Sequence, residues 1–173
     1  MKNDRDPTTV LAALGRCAAA MAAPGQPDPL FRSLETELGQ LIGHKLFTIM
    51  VLDYERGVAQ RLYTSAPEAY PVQGRKPLRD LTDWGKQVIE AKQAFMGLTR
   101  EVIRQTFSDH ETIEALGCGA IINLPVRYDD RVLGAVNILH EENHFTDADI
   151  EVGTPFAQLA ATACRDWAAA LSR

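Results

Sequence analysis

Residues 118–140 read CGAIINLPVRYDDRVLGAVNILH, and their pattern decides the fold. Apolar runs at 120–128 and 131–140 flank Asp129-Asp130, as in two antiparallel strands joined by a tight turn. With Tyr128 opposite Arg131, one face carries Ala120, Ile122, Leu124 and Val126 with Leu133, Ala135, Asn137 and Leu139. The other carries Ile121, Asn123, Pro125 and Arg127 with Val132, Gly134, Val136 and Ile138, so Asn123 and Asn137 are expected on opposite faces. A half-exposed sheet alternates apolar with polar residues, whereas both of these faces are apolar save one asparagine each. The hairpin is therefore expected in the middle of a domain, covered on both sides.

Downstream, Thr146 with Asp149 three residues on resembles a capping box and opens a last helix. Phe156, Leu159, Ala163 and Trp167 form its buried face, and Thr154-Pro155 suggests a kink or restart. Upstream, KLFTIMVLD at 45–53 reads as a strand buried on both faces, Glu55-Arg56-Gly57 as a turn, and VAQRLYTS at 58–65 as an alternating strand. Leu30, Leu34, Leu38 and Leu41 make one helical stripe that starts at Asp28 and stops at Gly43. From 66 to 117 the character changes. Pro67, Pro71, Gly74 and Pro77 mark a loop, 82–92 and 101–116 read as short helices, and 94–98 as a short strand. A long connection of this kind over a sheet is where a binding site is built.

Val10, Leu14, Cys17 and Met21 recur at helical spacing before Pro24, Gly25, Pro27 and Pro29 end the segment. The expected organisation is an N-terminal helix with a proline-rich linker over residues 1–27, then one domain over 28–173. The 173 residues suit a single full core. A net charge of -5 leaves no electrostatic footprint for nucleic acid. No stretch approaches the roughly 18 apolar residues of a membrane span. The apolar stretch 10–23 contains Arg16 and follows Asp4 and Asp6, unlike a secretory signal, so a cytoplasmic location is expected. Cys17, Cys118 and Cys164 are odd in number and far apart, which argues against a disulfide framework or a structural zinc site.

Helix, hairpin, helical cover, hairpin, long helix is an order that resembles the GAF domain family over about residues 28–170. The residues that carry the resemblance are LPVRYDDRVLGAVNILH and the HFTDADI that follows it. It implies an α/β (α+β) fold of the GAF/PAS kind: a central antiparallel sheet of about six strands, with terminal helices on one face. On the other face it implies a helical and loop cover over a small-molecule pocket. Cyclic-nucleotide-binding members carry Asn-Lys, a later Phe and then Asp-Glu; here Asn137, Phe145 and Asp149 match, but Ile138 and Ile150 replace the lysine and glutamate. The ion pair of that signature therefore cannot form. Phytochrome-like members hold a bilin on a cysteine of the cover, and this chain has no cysteine between Cys17 and Cys118. An enzymatic branch reduces free methionine-R-sulfoxide with loop cysteines, of which Cys118 would be the only nearby thiol.

His140-Glu141-Glu142-Asn143-His144 fits H-E-x-x-H, but that chemistry needs both histidines one turn apart on a helix. Between a strand and the cap at Thr146 the two rings are not expected to share a face, and no metal site is assigned. Asn137 falls on the signature asparagine and is expected to bond the connection near the last helix. Asn123 either meets a ligand or satisfies nearby backbone. The candidate ligand-binding residues are Tyr63, Trp84, Arg104, His110 and Asn123, which supply aromatic walls, a cation, a titratable ring and an amide. No catalytic residue is assigned, and the sequence names no ligand or cofactor.

The function expected is a stand-alone sensory module of a bacterial-type regulatory protein that binds a small molecule, has no catalysis of its own and acts through a separate output protein. A methionine-sulfoxide-reductase-like enzyme and a structural dimerisation domain with a collapsed pocket are the alternatives. A homodimer is expected through the terminal helices. Its grounds are the α-helical stripe of Val10, Leu14, Cys17 and Met21 and the small residues Ala160, Ala161, Cys164 and Ala168.

Overall fold

The computed structural model describes residues 6–171 apart from Gln73 and Leu81. Six strands form one antiparallel sheet in the order β3-β2-β1-β6-β5-β4. These are β1 (Leu46–Asp53), β2 (Val58–Thr64), β3 (Arg75–Pro77), β4 (Phe95–Gly97), β5 (Ala120–Tyr128) and β6 (Arg131–His140). The central hairpin turns on Asp129 and Asp130, both at positive φ (49° and 56°), the backbone that matches the twist of the flanking strands.

Two bulges set what each face of the sheet carries. Val126 pairs with Gly134 while Arg127 pairs with Val132, so Leu133 is an extra residue on β6. One extra residue inverts the facing of everything beyond it, because side chains alternate with a period of two. Asn123 therefore lies directly opposite Asn137, on the same face, and not on opposite faces as an uninterrupted register requires. On the neighbouring pair Ile49 faces Tyr63 but Met50 faces Arg61, leaving Leu62 extra. Arg61 and Tyr63, two apart in sequence, thus point to opposite sides.

Four helices cover one face: α1 (Pro7–Met21), α2 (Asp28–Leu41), α6 (Asp147–Gln158) and α7 (Ala161–Leu171). Their apolar sides meet Phe47, Ile49, Ile122, Leu124, Val136 and Ile138 in a dry core. α2 ends where Gly43 adopts φ +87°, and its N–H reaches the Leu38 carbonyl at 3.2 Å. At the start of α6 the Asp149 carboxylate accepts from the Thr146 N–H at 2.6 Å and from its hydroxyl at 2.9 Å. The break between α6 and α7 falls at Leu159-Ala160, after Pro155, which sits inside α6.

The N-terminal helix is part of this layer, contrary to the separate segment its proline-rich exit suggests. Ala13 and Cys17 are buried, and Arg16 donates two bonds of 2.7 Å to Glu37 of α2. Ala160 and Cys164 are likewise buried toward the sheet. A Cβ on Gly134 would lie 3.1 Å from the Cys164 sulfur and 2.1 Å from the Met50 carbonyl oxygen, which explains why both residues are small. Much of both stripes that suggested a dimer is therefore used inside one protomer.

The opposite face is covered by residues 66–116: β3, a 3-10 turn (Leu78–Asp80), α3 (Thr82–Trp84) running into a π-helical turn (Gly85–Glu90), β4, α4 (Arg100–Thr106) and α5 (His110–Ala115). The single helix expected over 101–116 is two helices, and β3 falls in what reads as loop. Trp84, Val88, Ile103, Phe107 and Ile113 pack there on Leu46, Met50, Ile121 and Leu139. Among the described residues no helix is long and apolar enough to cross a membrane.

Candidate functional site

Under the cover, Thr48 of β1, Asn137 of β6 and Asn123 of β5 stand side by side across the three central strands. All are buried, and so is the Trp84 indole above them. The indole N–H donates to Asn123 Oδ1 at 3.0 Å. Asn123 Nδ2 donates to Asn137 Oδ1 at 2.5 Å, and Asn137 Nδ2 to Thr48 Oγ1 at 3.0 Å. An indole is a donor only, so Asn123 must present its oxygen to Trp84 and its NH2 to Asn137, and each later link follows in turn. The chain therefore runs one way, from tryptophan to threonine.

Beside it lies a cluster of charges. Arg61 of β2 is 7% exposed; its guanidinium carbon sits 3.4 Å from the Tyr70 ring centroid and Nη1 donates to the Pro71 carbonyl at 2.5 Å. A Cβ on Gly74 would come within 2.5 Å of that same nitrogen, so glycine lets the backbone close over the cation. Lys76 of β3 donates to Asp109 Oδ1 at 2.6 Å, and the Tyr70 hydroxyl donates to Oδ2. The Arg61 Nη2 is 4.0 Å from Asp109. Burial pushes the Lys76 ammonium below its ordinary range, against the pull of Asp109. Burial also works to raise the Asp109 carboxyl, but the Lys76 charge and the bonds from Lys76 and Tyr70 outweigh it, and Asp109 titrates lower than usual. Arg61, Tyr70, Lys76, Trp84 and the three sheet residues line one cavity of about 30 Å³. That is the space of roughly one water, against about 300–1,000 Å³ for a drug-sized ligand site.

Helices on one side, an antiparallel sheet and a polar cavity beneath an irregular cover accompany a match of residues 28–164 to the GAF domain family. This chain belongs to the GAF domain family. The family consists of sensory and regulatory modules that bind small molecules, often within multidomain signalling proteins. The GAF domain of a phosphoenolpyruvate-protein phosphotransferase from Coxiella burnetii is 15% identical, with a TM-score of 0.72 over 95% of this chain and 99% of that one. The corresponding domain from Acinetobacter is 8% identical, with a TM-score of 0.68 over 95% of each chain. A segment of a methyl-accepting chemotaxis protein is 16% identical, with a TM-score of 0.64 over 88% of this chain and 95% of that one. At these identities the likeness is one of fold. No curated protein matches the sequence.

Of the five candidate residues of this GAF domain, Trp84 and Asn123 meet in the cavity. Tyr63 does not join them. The bulge at Leu62 turns it to the helix face, where its ring meets Phe31 and Phe47 and its hydroxyl donates to Glu35. Arg104 makes two bonds of 2.7 Å to Glu114, and His110 Nδ1, itself buried, lies 3.8 Å from the same carboxylate; neither residue lines the cavity. Asn137 bonds Asn123 and Thr48 instead of the connection before the last helix. Thr48, Arg61, Tyr70, Lys76 and Asp109 carry the site without having been singled out. Arg61 reads as a solvent-side charge on an alternating strand, and only its pairing with a bulge places it inside. The other cues are weaker still, because Lys76 and Asp109 come from a stretch without periodicity.

The H-E-x-x-H motif of this GAF domain forms a tighter group than its loop context suggests. The His140 and His144 rings stack with centroids 3.5 Å apart and planes 10° from parallel. Imidazole lone pairs lie in the ring plane, and two parallel planes at that separation cannot both contain an ion about 2.0–2.1 Å from each nitrogen. His140 Nδ1 accepts from the Glu141 N–H at 2.9 Å, and His144 Nε2 is 2.9 Å from the Ile42 carbonyl. The stack thus ties the end of β6 to the end of α2. Cys118 lies at the edge of the cover core, fully buried, with its thiol pushed up to about 11 by burial.

Proposed function

We propose that this GAF domain is a regulatory module that binds a small molecule between the sheet and its cover and has no catalysis of its own. The observation that carries the reading is the one-way chain Trp84–Asn123–Asn137–Thr48 beside Arg61, Lys76 and Asp109. An apolar filling would be simpler and often more stable than buried polar groups, so this connected set beneath the cover favours a use for them. Trp84 and Asn123 remain the ligand-contacting candidates, with Tyr63, Arg104 and His110 outside the cavity. Against a reductase stands Cys118, whose raised thiol pKa opposes thiolate formation, while Cys17 and Cys164 are packed on the opposite face. It works in the cytoplasm and passes its signal to an output partner. A homodimer of such modules would use the outward Leu11 of α1 and the groove of about 480 Å³ that Met21, Leu30, Leu62 and Trp167 line.

The test is a binding screen read on Trp84 fluorescence in a Trp167→Phe background, over nucleotides, amino acids and small organic acids. Saturable quenching or enhancement is expected for at least one class. A specific observation favours one rival: the 30 Å³ cavity suits a domain whose pocket is filled by its own side chains. That rival predicts a flat response to every compound, and thiol-dependent turnover lost in Cys118→Ser would instead establish the enzyme.

A further inference from the structure

We infer that the cavity under the cover takes a small oxyanion, a carboxylate or a phosphate-sized group, held by Arg61, Lys76 and Thr48; this rests on the cover-binding reading. Charge is the first ground. Among the described side chains of the cluster, two cations face one carboxylate, and both Asp109 oxygens already accept a bond, one from Lys76 and one from Tyr70. Among the described residues the buried Arg61 guanidinium donates to the Pro71 carbonyl and lies against Tyr70, while its nearest carboxylate oxygen is 4.0 Å away. A buried guanidinium whose fork is not taken up by a carboxylate is a ready partner for a planar or tetrahedral oxyanion.

The direction of the amide chain is the second ground, independent of the first. Because Trp84 only donates, every link is fixed, and the hydroxyl proton of Thr48 is left over at the end. Thr48 is 3% exposed, and among the described residues nothing accepts from it. The second N–H of each asparagine amide is also unused among the described residues. The cavity is therefore lined by donors and short of acceptors, the complement of an oxyanion and the opposite of a cation site. Its volume of about 30 Å³ holds about one water as it stands, so a guest of four or five heavy atoms enters only as the side chains lining the cavity give way.

The experiment compares acetate with its neutral isostere acetamide, and inorganic phosphate alongside, at constant ionic strength on the full chain carrying Trp167→Phe. Saturable change of Trp84 fluorescence is expected with acetate or phosphate and not with acetamide. Binding should weaken at least tenfold in Arg61→Met and in Thr48→Val, the second of which removes a donor without changing shape and guards against failure of the first to fold. Equal response to acetate and acetamide, or no anion binding while a neutral compound of the wider screen saturates Trp84, overturns the oxyanion and leaves the cover site standing. No response to any compound, charged or neutral, overturns both.

Discussion

The two faces of the sheet are built from different chemistry. Against the helices the strands present Phe47, Ile49, Val51, Ile122, Leu124, Val126, Val136 and Ile138. Against the cover they present Thr48, Arg61, Asn123 and Asn137 among apolar neighbours. The helix face is mostly packing, and its carboxylates sit at the margins: Glu37 meets Arg16 at the rim, where the arginine is half exposed, and Asp149 caps the start of α6. The cover face sinks charges and amides into its interior. Under the proposed function that asymmetry puts stability on one side and recognition on the other, and substitutions on the two sides should separate these properties.

The largest effect should come from the dry side. Phe156→Ala removes a fully buried ring from the helix-face core and should cost about 3–5 kcal/mol, without altering which compounds perturb Trp84. Chemical denaturation measures it, and a loss under about 1 kcal/mol would mean that α6 contributes little to the core. On the wet side, Asp109→Asn leaves two buried cations without their carboxylate. Removing one partner of a buried pair costs about 3–5 kcal/mol, and with Asp109 a quarter exposed the expected loss is nearer 2 kcal/mol. Asn123→Leu deprives the Trp84 N–H and the Asn137 carbonyl of partners and should cost about 1–3 kcal/mol. Thr48→Val added to it should cost less than the sum, because both act in one chain.

Acid should act through the wet side as well. The folded Asp109 titrates below its ordinary value of about 3.9, so the unfolded chain binds more protons between the two values. Its stabilisation is whole above about pH 4–5 and disappears as pH falls through the folded value. Asp109→Asn should flatten that part of the acid limb, and an unchanged limb would show that other carboxylates govern it. The smallest effect belongs to the rim: Glu37→Gln should cost under about 1 kcal/mol, since its partner is half in water.

The fold was legible in the sequence because its signals are local and repeated. The doubly apolar hairpin at 120–140, the leucine stripe of α2 and the Thr146–Asp149 cap each state their structure within a few residues. The site was half legible for a physical reason. Trp84 and Asn123 stand out as an aromatic and an amide in apolar surroundings, and they do meet. Thr48, Arg61 and Asn137 reach the same cavity only through pairing between strands distant in sequence, and two single-residue bulges decide which way they face. Tyr63 was assigned to the wrong side for the same cause. Whether α1 stands apart or folds back is not legible from Pro24 and Pro27; it packs on α2 and uses part of its apolar stripe there.

The two tryptophans allow the contrast between the faces to be read in one spectrum. Trp84 bonds Asn123 beneath the cover, while Trp167 lines the groove on the helix side. In a protein labelled at the indole nitrogens, titration with acetate and with inorganic phosphate should move the Trp84 N–H resonance saturably and leave that of Trp167 in place. Movement of Trp167 with Trp84 fixed, or no movement of either at saturating concentrations, would contradict recognition by the cover face.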